Sequence, residues 1–231
     1  MHKVGIPPET LRRITERRGR RHVFGSVEPT TTALIVVDMQ NHFIDLIPTC
    51  RGIVPNINRI AQALRAAGGI VVWIQATHPA TGRSAWPMFF ENFVGPEQAA
   101  HIRSKLAPGA EGHALFSELD VQPRDLIVPK DRFSALIQGA SNLEAELRGR
   151  NIESVIITGT NTNVCCESTA RDAMMLDFRT FMVEDANAAF TDAEHVAGLT
   201  TVAQVFADVL TSEEMIALIE GRQLEAAGGA A

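Results

Sequence analysis

The chain has 231 residues, 45% hydrophobic and 21% charged, and its 21 Lys and Arg against 27 Asp and Glu give a net charge of −6. This balance suits one large α/β domain with a sizeable core and argues against disorder. The apolar runs are too short to span a bilayer, and no membrane partner is expected. Three cysteines, two of them adjacent, do not make a disulfide framework, so a cytoplasmic home is expected.

Residues 1–30 hold seven Lys and Arg and three Asp and Glu, a local +4 that leaves the remainder at −10. The cluster Arg12, Arg13, Arg17, Arg18, Arg20 and Arg21 lacks the interleaved aromatics of single-strand binders. It reads as a basic arm lying on its own body or on a neighbouring subunit, and no nucleic-acid partner is expected. From residue 31 to 222 strand and helix signals alternate, which defines a single domain; residues 223–231 read as a flexible tail.

Strands are predicted at 33–38, 70–75, 125–129, 154–159, 180–184 and 203–207, mostly as continuous Val/Ile-rich runs of the kind buried on both faces. A helix is predicted over 54–67, where Ile57, Ile60, Ala61 and Leu64 share a face, Pro55 suits the first turn and Gly68-Gly69 stop it. Ser141/Glu144, Thr191/Glu194 and Thr211/Glu214 have capping-box spacing, and Gly221 suits a C-terminal cap. Residues 76–124 are punctuated by proline and glycine and read as a long irregular segment carrying Trp86, Phe89, Phe90 and Phe93. These aromatics either cover a satellite core or subunit interface, or wall a pocket.

Three chemistry-bearing residues stand at or just past strand ends, where open parallel sheets build their sites. Asp38 closes Ala33–Val37, Lys130 follows Leu126–Pro129, and Cys165 follows Val155–Gly159 at a strand-to-helix turn. In the helix after that turn Cys166, Ala170, Ala173 and Met174 form one apolar stripe, so Cys166 reads as packing and Cys165 as the thiol turned to the cleft. A helix N-terminus and a nearby lysine both favour thiolate. An acid, a base and a thiol together are the parts of a cysteine nucleophile. The seven histidines form no metal-ligand pattern, and no phosphate-cradling glycine loop is present, so neither metal nor cofactor is expected.

The segments Thr32–Phe43, Val128–Ala135 and Gly159–Cys165 through Ala173 resemble the isochorismatase-like cysteine hydrolases, a likeness covering about 30–210. The resemblance implies a three-layer αβα fold with a six-stranded parallel sheet, a homo-oligomer (dimer or tetramer), and a triad of Asp38, Lys130 and Cys165. It also implies a cis peptide between Thr160 and Asn161, with the backbone N–H groups of Asn161 and Cys165 as oxyanion donors. Metal-dependent relatives carry Asp and two histidines after the second strand; only His78 stands there, with Ser84 at the later position. The vinyl-ether hydrolases of the group lack the cysteine.

The expected function is cleavage of a ureido or carboxamide C–N bond of a small molecule through a thioester. Gln40, Phe43, Trp73, Gln75, His78 and Trp86 are expected to line the pocket; no arginine near the triad announces a substrate carboxylate, although Arg51, Arg83 and Arg132 could reach in. The alternatives are a vinyl-ether or ester hydrolase on the same fold, and a redox-sensing or binding module built on Cys165-Cys166.

Overall fold

A computed structural model describes residues 1–78 and 85–224. The sheet is formed by β1 (Thr32–Val37), β2 (Ile70–Ala76), β3 (Leu126–Lys130), β4 (Ser154–Thr160), β5 (Arg179–Ala188) and β6 (Asp208–Leu210), all parallel in the order β3-β2-β1-β4-β5-β6. The order reverses between β1 and β4, and in open parallel sheets ligand sites form at the strand C-termini beside such a reversal.

The helices are α1 (Pro8–Arg18), α2 (Asn41–Leu46), α3 (Cys50–Ala66), α4 (Pro87–Asn92), α5 (Pro96–Lys105), α6 (Leu143–Gly149), α7 (Glu167–Met175), α8 (Asp192–Val205) and α9 (Ser212–Ile219). Alternate strand residues feed two cores, as a pleated sheet requires. Leu34, Val36, Trp73 and Phe181 pack under α3 and α9. Ala33, Ile35, Ile74 and Met182 pack with residues of α1, α6, α7 and α8. Three layers result, with a six-stranded parallel sheet in the middle.

The segment before β1 lies on this body. Ile6 and Ile14 join the second core. The Arg17 and Arg18 guanidinium groups donate to the Ala203 and Gln204 carbonyls at the C-terminal end of α8, where the helix dipole favours cations. Asp208 accepts the backbone N–H groups of Val23 and Phe24 at 2.7 and 3.1 Å.

Several elements differ from the sequence expectation. The predicted strand at 203–207 is instead the end of α8 and the turn after it, and β6 begins at Asp208. The capping box of Thr191 and Glu194 starts a helix whose Leu199, Val202 and Ala203 bury one face, so helical period overrode β-branched content. α3 starts at Cys50, which puts Pro55 inside it on the solvent side, where the carbonyl it leaves unpaired can meet water. Ser141 forms no capping box with Glu144: its hydroxyl accepts the Leu143 N–H and donates to the Ala135 carbonyl. The box of Thr211 and Glu214 is present, and Gly221 takes a left-handed φ of +75° after α9. Within 76–124, Pro87 and Pro96 open α4 and α5: prolines that punctuate a sequence also suit the first helical turn. Residues 225–231 of the expected tail, and Arg83 and Ser84, lie outside the described residues.

Gly159 sets the distance between β1 and β4 at the site. Its φ is +110°, and a Cβ there would stand 2.1 Å from the Val37 carbonyl oxygen. Gly159→Ala should therefore lower the unfolding free energy by at least about 2 kcal/mol, read from denaturant midpoints; a loss under 0.5 kcal/mol would mean that the strand ends part easily.

Candidate active site

Asp38 follows β1 with φ +53°, a left-handed conformation that Asp tolerates better than most residues, and its N–H bonds the Ile74 carbonyl at 3.1 Å. Lys130 is the last residue of β3. Its Nζ lies 2.8 Å from Asp38 Oδ2 and donates to the Arg132 carbonyl at 3.0 Å. Both side chains are only 1% exposed.

Cys165 arrives from the other side of the crevice. After β4 the Thr160–Asn161 peptide is cis, and Thr162–Cys166 form one π-helical turn before α7. The Asn161 carbonyl accepts the N–H groups of Val164 and Cys166, and the Thr169 hydroxyl donates to the Cys165 carbonyl at 2.7 Å. The turn brings the Cys165 thiol into hydrogen-bond reach of both Asp38 and Lys130. Cys166 points the other way, fully buried, with Sγ 3.9 Å from the Thr158 carbonyl. Three residues from three strand ends thus meet in one cluster, with Cys165 keeping 7% exposure.

Burial raises the Asp38 carboxyl above its ordinary range, and the Lys130 charge offsets this only in part. Burial pulls Lys130 down, yet Asp38 and Cys165 together outweigh it and the ammonium is held more firmly than usual. Burial pushes the Cys165 thiol up to about 12, against the pull of Lys130. Burial thus outweighs the helix N-terminus and the lysine, which favour thiolate, and the thiol keeps its proton at neutral pH. Any attack by sulfur needs a base at that moment, and Asp38 is in place to be it.

His78 and an aromatic wall stand beside Lys130. The His78 ring packs edge-on against Phe90 at 5.2 Å and lies 6.3 Å from Trp86. Trp86 stacks on Phe89 at 4.8 Å and meets Phe133 edge-on at 4.7 Å, with the Arg132 guanidinium 5.0 Å over its ring. Trp86 itself has φ +47°, rare for a bulky residue and a feature that clusters at sites. Burial lowers His78 to about 4, with Lys130 adding to the effect, so its imidazole is neutral.

Two expected lining residues do other work. Gln40 is buried and its amide is used up: Nε2 donates to the Ala76 and His113 carbonyls, and Oε1 accepts the Ala76 N–H at 2.8 Å. It clips the end of β2 as another strand would. Trp73 is buried in the core under α3, and its Nε1 donates to Asp125 at 2.9 Å. Gln75 is half-buried and donates to the His113 carbonyl at 3.0 Å; Phe43 packs half-buried against the first core. Arg51 is exposed beside Asp45 and Glu118. A cleft of about 620 Å³ lined by His42, Arg51, His101 and Lys105 contains none of the Asp38, Lys130 and Cys165 cluster. Among the described residues no group of three or more His, Cys, Asp and Glu is placed to hold a metal, and no helix is long and apolar enough to cross a membrane.

Sequence reading missed the Glu111–His113 turn, whose last carbonyl ties Gln40 to Gln75. It also missed His195, which reaches the Cys165 turn from α8. Neither sits in a spacing pattern.

A doubly wound parallel sheet with a buried acid, amine and thiol at its switch point defines the class: a three-layer protein of the isochorismatase-like hydrolase fold. Residues 32–214 match the isochorismatase domain, and the chain belongs to that family. It is 32% identical over 186 residues to the ureidoacrylate amidohydrolase RutB of Rhizobium rhizogenes (70% of this chain, 72% of the relative). It is 35% identical over 181 residues to that of Variovorax paradoxus (70% of each). A cysteine hydrolase from Pseudomonas syringae pv. phaseolicola superimposes with a TM-score of 0.78 at 30% identity, covering 87% of this chain and 97% of the other.

Two predictions follow from the electrostatics. Lys130→Met leaves a buried, unpaired carboxylate and should cost about 3–5 kcal/mol of stability, much of it recovered in Lys130→Met/Asp38→Leu; denaturant curves of both variants measure this. Because His78 titrates near 4 in the fold and near 6.5 unfolded, the unfolded chain binds its proton first as pH falls. The stability is intact above about 6.5 and drains between 6.5 and 4, and His78→Phe should flatten that fall in thermal midpoint.

Proposed function

We propose that this protein is a cysteine amidohydrolase that cleaves a C–N bond of a small ureido or carboxamide compound through a thioester. Asp38 accepts the Cys165 proton as sulfur attacks the carbonyl carbon. The oxyanion is held by the backbone N–H groups of Asn161 and Cys165, a contact of the kind whose loss costs on the order of 10²–10³ in rate. Lys130 fixes Asp38 and balances the negative charge that passes between carboxylate and sulfur. As the C–N bond breaks, Asp38 hands its proton to the leaving nitrogen, and ammonia or amine departs. Water then attacks the thioester; Asp38 takes its proton and returns it to sulfur as the C–S bond breaks. No metal and no cofactor enter these steps.

One observation carries the reading: Lys130 Nζ stands 2.8 Å from Asp38 Oδ2 in a buried site, with the Cys165 thiol in reach of both. A carboxyl raised by burial suits a base that must both take and return a proton near neutrality. A thiol held at about 12 needs such a base. The ureido class draws on the relatives named ureidoacrylate amidohydrolase. A structural neighbour at TM-score 0.64 and 28% identity, N-carbamoylsarcosine amidase from Thermoplasma acidophilum, points the same way. His78, Trp86 and Phe43 are the expected lining residues that remain candidates to meet the substrate, and we expect a homo-oligomer working in the cytoplasm.

Ammonia release from ureidoacrylate, other ureido acids and carboxamides tests this. Cys165→Ala should abolish release and Cys166→Ala should keep most of it, with an acyl or carbamoyl adduct on Cys165 by mass spectrometry of quenched wild type. Equal loss from both variants, or turnover by Cys165→Ala, would defeat the assignment.

A further inference from the structure

The Cys165 turn is held from outside the sheet by α8. His195, in the first turn of α8, is buried and its Nδ1 lies 2.8 Å from Thr162 Oγ1. The ring is also hydrogen-bonded to the Glu184 backbone, whose carbonyl can only accept. A ring proton on the nitrogen facing Glu184 leaves Nδ1 to accept the Thr162 hydroxyl. One turn further along α8, Gly198 lacks the Cβ that would stand 2.9 Å from Asn163 Cα, so the helix backbone lies directly on the same turn. Behind His195 the ring of His2 stacks at 4.1 Å and 17°. His2 Nε2 accepts the Ala189 N–H at 3.0 Å and its Nδ1 faces Asp192 Oδ1 at 2.5 Å. Ala189 follows the last residue of β5, which pairs with Thr160 immediately before the turn. His195 and Gly198 thus both meet the Thr162–Cys166 turn, with His2 stacked on the histidine.

We propose that His195 is a positioning residue for the nucleophile: by accepting the Thr162 hydroxyl it fixes the turn that carries Cys165, with His2 stacked behind it as a stop. This rests on the reading of Cys165 as the attacking group. His195 touches neither substrate nor sulfur; it acts through Thr162. Thr162 is buried, so its hydroxyl has no water to bond if the imidazole is lost, and the turn relaxes to satisfy it. Displacement of a nucleophile by a fraction of an ångström affects kcat far more than KM.

The test combines turnover of ureidoacrylate with alkylation of Cys165 by iodoacetamide in the absence of substrate, on the full chain. Thr162→Val keeps the shape and removes the hydroxyl. It should lower kcat and the alkylation rate together, on the order of 10–100-fold, with KM within about twofold. Thr162→Ser should restore both to within about threefold, a rescue that a purely steric role would not give. His195→Phe should match Thr162→Val, and the double variant should be no worse than either alone, as for residues acting through one bond. Wild-type alkylation and turnover in Thr162→Val, or a Thr162→Ser as slow as Thr162→Val, would overturn the proposal. Should the variants not fold, the imidazole ¹⁵N spectrum of wild type decides: an Nδ1-protonated His195 at neutral pH overturns it, and an Nε2-protonated ring supports it. Failure of the nucleophile reading itself would look different, as turnover by Cys165→Ala or label on Cys50 or Cys166.

Discussion

The contact between Lys130 and Asp38 is the constraint on which the rest of the site turns. A buried ion pair is poor evidence of stabilisation, since taking both charges out of water costs about as much as their attraction returns. What it does supply is order. A carboxylate with one dominant cationic partner in a dry cleft has few places to be, and a thiol placed against both inherits that restriction. Burial sets the resting state of sulfur: it raises the thiol, and the Lys130 charge beside it offsets this only in part.

The backbone around the pair is bent to serve it. Asp38 and Trp86 both take left-handed φ values that their neighbours in sequence do not need. β4 comes so close to β1 that only glycine fits at position 159. The π-helical turn then places Cys165 across the crevice from the acid, while α8 supports it from behind. Gln40 closes the frame on the other side, its amide replacing the backbone partner that β2 lacks at its end. Among the described residues, two of the four left-handed non-glycine residues, with the crowded Gly159, thus stand at the site; the other two, Asn151 and Asp177, lie in the turns that lead into β4 and β5.

Much of this was legible in the amino-acid order. Continuous apolar runs ending in Asp38, Lys130 and Cys165 announced a parallel sheet with its chemistry at one edge, and five of six strands fall within a residue or so of expectation at their start. The apolar stripe from Cys166 separated the two cysteines before any coordinates did. The failures have a common cause. Trp73 and Gln40 carry side chains suited to a pocket, but burial and hydrogen bonding to distant Asp125, Ala76 and His113 claimed them first. His195 and Gly198 carry no local pattern at all; their importance arises only when α8 is laid on the turn. The rise of the Cys165 thiol was not legible because desolvation is a property of the closed fold, whereas a helix N-terminus and a lysine can be counted in a string of letters.

Trp73 shows what the core does for the chemistry from a distance. Its indole and the Arg65 guanidinium both grip Asp125, the residue just before β3. β3 is a five-residue strand at the rim of the sheet, paired on one side only and carrying a proline that cannot donate. Such a strand has little of its own to stop it sliding, and a shift by a single step would present Pro129 where Lys130 belongs and turn the ammonium to the opposite face. The Asp125 anchor works as a vernier stop, converting a fixed point at the start of the strand into a fixed depth for the amine at its end.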